Sequence, residues 1–372
     1  MGRLLISKKS VKSNRAIRRI QKEYIYSHKQ LKSRYPRVKL GKIVKAIDDK
    51  IIDCCLVKEK NKFEHQESTP EIFSKEAIIE KIKKVNIKGL SGSGFPIIEK
   101  IKSIQSAKVA HKYLIVNGVA CDPGLIHDAC LAREKNKEIN KGIQILSKLI
   151  PFEEVIIATP DIVPCRYPMG EERILIKHLF GVKLSKSEIP SEKGYLVLNI
   201  QTVYAIYKAF FEEEELNTRY ITLANLETGA ASVAVVNLGQ SVYDILENPI
   251  VDQKLDIKKF IKGNGSVYVG MGSMDADLYT KDMTISEKTG FIGFGSVAEY
   301  DNEAKCKRCG ACSKKCPMGV DVKQIINAIE KGDSANLEVY GLDKCIHCGT
   351  CSYYCKAGKN TMEIMMKWEE SK

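Results

Sequence analysis

Eight cysteines between residues 306 and 355 constrain this chain more than any other feature. They read Cys306-x-x-Cys309-x-x-Cys312-x-x-x-Cys316-Pro317 and Cys345-x-x-Cys348-x-x-Cys351-x-x-x-Cys355. A loop with two residues between ligands wraps three corners of an iron–sulfur cubane. The fourth corner is out of its reach, and in two-cluster proteins the other motif fills it. The spacing therefore predicts two [4Fe–4S] clusters. One is held by Cys306, Cys309, Cys312 and Cys355, the other by Cys345, Cys348, Cys351 and Cys316. Such clusters move electrons one at a time. Zinc ribbons also use C-x-x-C pairs, but a third cysteine two residues on and Pro317 after the fourth do not suit them. A disulfide framework belongs to short secreted domains, not to a chain of 372 residues.

Between the two motifs Asp321 is placed to cap a helix. Val322, Ile325, Ile326 and Ile329 share one face of it, and Gly332 can end it. This long linker resembles the α-helical ferredoxin type, although Lys356 stands where a proline often follows the last ligand. Thirteen cysteines imply a reducing interior, and Cys54, Cys55, Cys121, Cys130 and Cys165 are expected as free or buried thiols. The sequence has no run of 18 apolar residues, so no membrane span is expected, and the first residues lack the apolar stretch of a signal peptide. The expected location is cytoplasmic, with any peripheral membrane attachment made through partners. The formal charge is +13. Much of it falls in residues 1–45, a basic N-terminal segment with a helix expected around Ser13–Ser27. A solvated surface, a nucleic-acid patch and a docking arm for an acidic partner or anionic membrane all fit such charge. No nucleic-acid motif accompanies it, so no nucleic-acid partner is expected.

The body of the chain alternates strands and helices, the pattern of an α/β layer fold. Glu64 to Pro70 reads as a loop and Ser74 to Val85 as an amphipathic helix. Tyr113–Asn117 and Glu154–Ala158 read as buried strands. Helical stretches are expected over Leu125–Asn136, Ile143–Leu149 and 174–180. A strand at Tyr195–Asn199 is expected to pass through a polar turn into a helix at 203–211. Gly89-x-x-Gly92-x-Gly94, with Lys100 beyond it, can let backbone N–H groups approach a phosphate; alone it is a weak signal, because glycine turns are common. Glu171 and Glu172 either open a helix by complementing its dipole or face a cofactor. From residue 216 the composition shifts toward Thr, Val, Ile and Tyr. Ser232–Asn237, a glycine turn and Val242–Leu246 begin like a β-grasp unit.

Taken in order, these motifs resemble the RnfC family of electron-transport subunits and, more distantly, the NADH- and FMN-binding subunit of respiratory complex I. The resemblance rests on Gly89-Leu-Ser-Gly-Ser-Gly-Phe-Pro with Lys100, Asn117-Gly-Val-Ala-Cys-Asp-Pro, Tyr167-Pro-Met-Gly-Glu-Glu, Asn199-Ile-Gln-Thr202 and the tandem cysteines, and it spans about residues 80–365. It implies a Rossmann-like FMN-binding α/β domain over 46–215, a β-grasp domain over 216–298 and a two-cluster ferredoxin domain over 299–372. It also implies residue roles. Gly89, Gly92, Gly94 and Lys100 would cradle phosphate. Asn117, Asn199 and Thr202 would hold the ribityl chain or ring. Tyr167, Gly170, Glu171 and Glu172 would line the flavin–nicotinamide cleft, with Asp122 beside it. In the family NADH reduces FMN, which feeds the clusters.

This chain departs from the family at several points. Ser91 replaces a glycine and Ile97 a threonine. Ala120 stands where the family has a glutamate, and Asp122 is shorter than the usual acid. Loss of an acid from the dinucleotide side removes a hydrogen-bond partner and a charge. Three functions are therefore weighed. The first is an oxidoreductase subunit linking a flavin/NADH site to one-electron carriers. The second is an adaptor without NADH binding that joins ferredoxin or flavodoxin to a partner reductase, as in cobalamin-reductase-like or amino-acid-reductase-associated relatives. The third is an assembly subunit that mainly docks partners.

Overall fold

The computed structural model describes residues 3–4, 44–48, 50–56, 73–91, 94–120, 122–164, 166–185, 187–258, 260, 266–273, 276–295, 300–301, 303–332, 335 and 337–371. The expected helix around Ser13–Ser27, nearly all of the basic segment, the loop Glu64–Pro70, and Gly92, Cys121 and Cys165 lie outside them. Strands are numbered in chain order as β1 (Arg3–Leu4), β2 (Lys45–Ala46), β3 (Ile52–Asp53), β4 (Tyr113–Asn117), β5 (Glu154–Ala158), β6 (Tyr195–Asn199), β7 (Thr218–Asn225), β8 (Ala230–Asn237), β9 (Val267–Gly270), β10 (Asp277–Leu278) and β11 (Phe291–Phe294).

The first sheet has the order β1-β5-β4-β6, and its pairings are parallel. Side chains alternate across a strand, and both faces here are apolar. Leu114, Val116, Leu196 and Leu198 meet Ile101, Ile104, Ile143, Leu146 and Val203 on one side. Ile115 and Val197 meet Leu175, Ile176 and Leu184 on the other. Helices cover both faces, as a parallel sheet requires. The amphipathic helix expected over Ser74–Val85 runs Lys75–Val85, with Ser74 as its N-cap. The helical stretch after residue 125 is two helices, His127–Glu134 and Asn136–Leu149. The expected polar turn after β6 is not there: helix Ile200–Tyr207 starts at once. Asn199 is its N-cap and its Oδ1 accepts from Gln201 N at 2.8 Å, so Thr202 lies in the first turn.

The second sheet runs β10-β9-β11-β7-β8-β2, with β3 also beside β8. β7 and β8 form an antiparallel hairpin, helix Val242–Leu246 follows, and β11 returns parallel to β7. Hairpin, helix and parallel return make the β-grasp expected from the sequence. β2 and β3 pair with β8, so Lys45–Ala46 and Ile52–Asp53 lie on this sheet although in the chain they fall between β1 and β4 of the first. In the tail, helix Val322–Glu330 is capped by Asp321 and followed by Gly332 at φ +72°. Its Val322, Ile325 and Ile326 are buried with Leu337, Leu342, Met362 and Met365, each such side chain contributing about 1.5–3 kcal/mol. Among the described residues no helix is long and apolar enough to cross a membrane.

Candidate functional site

The C-terminal edge of a parallel sheet is where α/β folds bind ligands. Here β4 and β6 end level, with Asn117 beside Asn199. Both side chains are buried and both serve the scaffold. Asn117 Nδ2 donates to Gly170 O at 2.8 Å, and its Oδ1 accepts from Val119 N at 3.0 Å. Asn199 Nδ2 donates to Asp128 Oδ2 at 2.7 Å, while Gln201 Nε2 reaches Asp128 Oδ1 at 3.0 Å. Thr202 Oγ1 accepts from Leu90 N at 3.0 Å, which fastens the glycine loop to this edge. Gly170 must be glycine: a Cβ there would stand 2.5 Å from Ala120 O and 2.7 Å from Val119 O.

The glycine loop closes on itself through Gly89 N to Phe95 O at 2.8 Å and Gly94 N to Gly89 O at 3.1 Å, with Gly94 at φ +61°. It feeds helix Ile97–Ser106, whose N-terminus has no side-chain cap. Ile97 N donates to Ile87 O at 3.1 Å and Glu99 N to Pro96 O at 3.2 Å, so what this helix start offers a flavin phosphate is chiefly its dipole beside a glycine turn. Lys100 does not point into that cradle as the sequence suggests. Its ammonium pairs with Glu172 and donates to Val197 O at 3.1 Å.

Sequence reasoning missed three buried groups that hold the loop and the sheet edge. Arg219, 2% exposed, donates to Leu90 O at 3.3 Å, Ser286 O at 3.2 Å and Glu287 O at 2.6 Å. Burial lowers its pKa to about 10, so it stays charged at neutral pH. His127 Nδ1 lies 2.9 Å from Thr222 Oγ1, and burial lowers its pKa to about 4. Asp128 is the third. Nothing in their flanking sequence marks them, because their partners are far away in the chain.

Glu171 caps helix Glu172–Phe180 through Ile174 N at 2.9 Å, and burial raises its carboxyl above the usual range. The helix-opening reading of the paired acids therefore holds for Glu171. Tyr167 is buried, and its phenol is held well above its ordinary pKa by that burial and then by Asp122, Cys348 and Cys351. Its ring centroid is 5.5 Å from that of Tyr353. Lys177 Nζ donates to Pro317 O at 2.9 Å, and Ile346 packs against the Leu175 side of the first sheet. The cysteine tail thus sits directly on the Tyr167 loop. Asp122 is buried too. A Cβ on Gly272 would stand 2.2 Å from its Oδ2, and Ser273 Oγ donates to Pro123 O at 2.8 Å. The β-rich unit therefore covers the turn that carries Asp122.

In the tail, Cys306, Cys309, Cys312 and Cys355 line one cavity. Burial raises the Cys312 thiol, with Cys355 and Cys306 as its cysteine neighbours. Burial pushes Cys348 up to about 11, with Cys316 and Cys345 nearby, and raises Cys351 beside Cys348 and Cys345. The two loops repeat one backbone shape. Arg308 and His347 have φ +49° and +53°, and Gly310 and Gly349 have +68° and +75°. Left-handed residues of this kind gather N–H groups into a nest for an anion. Arg308 N lies 3.4 Å from Cys306 Sγ, and Val320 N 3.3 Å from Cys316 Sγ. Buried thiols lose their protons when a metal supplies the compensating charge. Among the described residues no three His, Cys, Asp or Glu side chains are placed to hold a single metal ion. The shared cavity of the first four and the grouping of Cys345, Cys348, Cys351 and Cys316 suit a [4Fe–4S] cluster each.

Comparison with known proteins agrees with this geometry. Residues 82–162 match the Nuo51 FMN-binding domain, and residues 298–361 match the 4Fe-4S dicluster domain. These matches support FMN and [4Fe–4S] clusters as the cofactors. Over 295 residues the chain is 30% identical to the RnfC protein of the ion-translocating oxidoreductase complex of Haemophilus influenzae (strain ATCC 51907 / DSM 11121 / KW20 / Rd), covering 73% of this chain and 35% of that protein. The protein of the same name from Pasteurella multocida (strain Pm70) is 28% identical over 292 residues, covering 72% and 34%. The chain thus spans about a third of the length of these relatives. Among solved structures, the NAD+-reducing [NiFe]-hydrogenase in its H2-reduced state aligns with a TM-score of 0.55 at 13% identity, over 86% of this chain and 67% of that one. Its air-oxidized state gives 0.52 at 14%, over 82% and 62%. These structures share the fold.

Proposed function

We propose, for a chain that is RnfC-like and carries FMN-binding and 4Fe–4S dicluster domains, that it passes electrons between a flavin at the β4–β6 edge and one-electron carriers through two clusters. The observation that carries this is Tyr167. One residue of the flavin-edge loop meets the Tyr353 ring and is near enough to Cys348 and Cys351 to feel their charge. The cluster held by Cys345, Cys348, Cys351 and Cys316 is then the one next to the flavin, and that of Cys306, Cys309, Cys312 and Cys355 lies beyond it. Bound flavin supplies the exchange between paired and single electrons. The chain's own groups position and insulate. The glycine loop and the N-terminus of helix Ile97–Ser106 hold the phosphate. Gly170 and Asn117 fix the loop that keeps Tyr167 in place, and the buried Tyr167 ring packs on Tyr353. The units proposed are 46–215, 216–298 and 299–372, with residues 45–53 lending strands to the second. The working location is the cytoplasm, with partners drawn from ferredoxin, flavodoxin or a reductase of a larger complex.

A second reading is that NADH does not enter. Ala120 lacks a carboxylate, and Asp122 is buried under Gly272 and Ser273 rather than open to a nicotinamide. This favours the adaptor over the dehydrogenase. Anaerobic mixing tests the two: bleaching of flavin and clusters by NADH supports the dehydrogenase, and bleaching by reduced ferredoxin but not NADH supports the adaptor. A protein that retains no flavin in either form contradicts both.

A further inference from the structure

We infer that the face around Cys309 is the docking surface for a small acidic one-electron carrier protein. This rests on reading the tail as a two-cluster relay, and two differences between the cysteine loops carry it. The first is exposure. The second loop turns inward, with Cys351 buried and the neighbouring Tyr353 packed on Tyr167, whereas Cys309 is exposed. The cavity of the first set opens among Lys307 and Lys323. An electron can leave only where a carrier comes close, and the first loop is the one that meets solvent.

The second difference is charge. Residues 305–323 contain Lys305, Lys307, Arg308, Lys314, Lys315 and Lys323 against one acid, Asp321. That acid is turned to internal work, accepting from Ser313 Oγ at 2.7 Å and capping the next helix. Lys305, Lys307, Arg308 and Lys314 are exposed. In register with it, residues 344–362 of the second loop hold Lys344, Lys356 and Lys359 and no acid, but two of these sit at the outer set: Lys356 O accepts from Lys307 Nζ at 3.2 Å and Lys359 lines the outer cavity. Lys307, Lys323 and Lys359 thus line the outer set's cavity, while in the second loop Lys344 alone precedes the first ligand. An evenly solvated surface would not sort its charge this way. Cations ringing an exposed redox centre attract an acidic partner, speed its encounter and make binding salt-sensitive. A small, wet contact suits a carrier that must leave again.

The test uses the anaerobic holo-protein and a plant-type acidic ferredoxin as probe, with Kd measured by titration calorimetry at 50 and 300 mM salt. Iron is counted in every variant. The pair Lys305→Glu and Lys314→Glu is expected to weaken binding at least tenfold and to flatten the salt dependence. Lys305→Gln with Lys314→Gln should fall between, and the distant exposed pair Lys108→Glu and Lys137→Glu should stay within twofold. Equal effects of the near and distant pairs would overturn the inference. So would wild-type protein that sediments with phosphatidylserine vesicles yet does not bind the ferredoxin. Wild-type protein without iron would instead bring down the relay reading beneath it, which the iron count reports separately.

Discussion

Replacing Gly170 by alanine should loosen the link between the flavin edge and the cluster tail. The added Cβ would meet Ala120 O at 2.5 Å, and Ala120 C and Val119 O at 2.7 Å, all backbone atoms and all inside the 3.0 Å that real Cβ atoms avoid. A side chain could swing aside, but these atoms cannot, so the Tyr167–Glu171 loop must move. Overpacking of this kind costs about 1–3 kcal/mol. Moving the loop also breaks the Asn117–Gly170 bond and strands a buried amide, worth about 1–3 kcal/mol more. The two terms share atoms and do not simply add, so about 3 kcal/mol is the working figure. Flavin release during urea titration, followed by its fluorescence, reads the loss, with iron counted on the same sample. The control is Gly181→Ala. Gly181 is left-handed, at φ +71°, and a Cβ there meets nothing within 4 Å, so only backbone strain of about 1–2 kcal/mol applies. The reasoning predicts earlier flavin release in Gly170→Ala than in Gly181→Ala, with iron retained in both. Equal midpoints, or a milder effect at Gly170, would refute it.

Other outcomes follow from the same geometry. Burial holds His127 at about 4, below its ordinary 6.5, so the unfolded chain takes up the proton first as pH falls. The stability contribution is present above about 6.5 and is lost as pH drops toward 4, on the order of 3 kcal/mol in all; a melting temperature equally flat from pH 7 to 5 in wild type and His127→Gln would contradict this. Cys309→Ala and Cys355→Ala should each lose about half the iron, and the double variant should lose no more than either, because crossed ligation puts both on one cubane. Pairing Cys309→Ala with Cys348→Ala should remove nearly all of it, and iron assays on the four variants decide. Lys100→Met should weaken riboflavin and FMN binding alike, since Lys100 holds Glu172 and Val197 O; a loss confined to FMN would return Lys100 to the phosphate.

The two-cluster tail was legible because metal geometry is local: spacing within seven residues specifies three corners of a cubane. β4 and β5 were legible because a doubly covered parallel strand is an unbroken apolar run. The β-grasp could be read from its hairpin, turn and helix. What stayed hidden depends on distant partners. Asn117 and Gly170 are 53 residues apart and Lys100 and Glu172 72 apart, so no local pattern shows that one pair braces the loop and the other diverts a lysine from phosphate. Asp128 and Arg219 sit in unremarkable stretches and gain their roles only by burial. β2 and β3 are two residues each, too short to show a period, and their place on the second sheet came from pairing alone.

The most direct test of the relay is a stoichiometric reductive titration of anaerobically purified protein, followed by absorbance and electron paramagnetic resonance. One FMN and two cubanes per chain predict eight irons and an uptake of about four electrons, two by the flavin and one by each cluster. Uptake of two electrons or fewer, or zinc where the irons should be, would contradict the account.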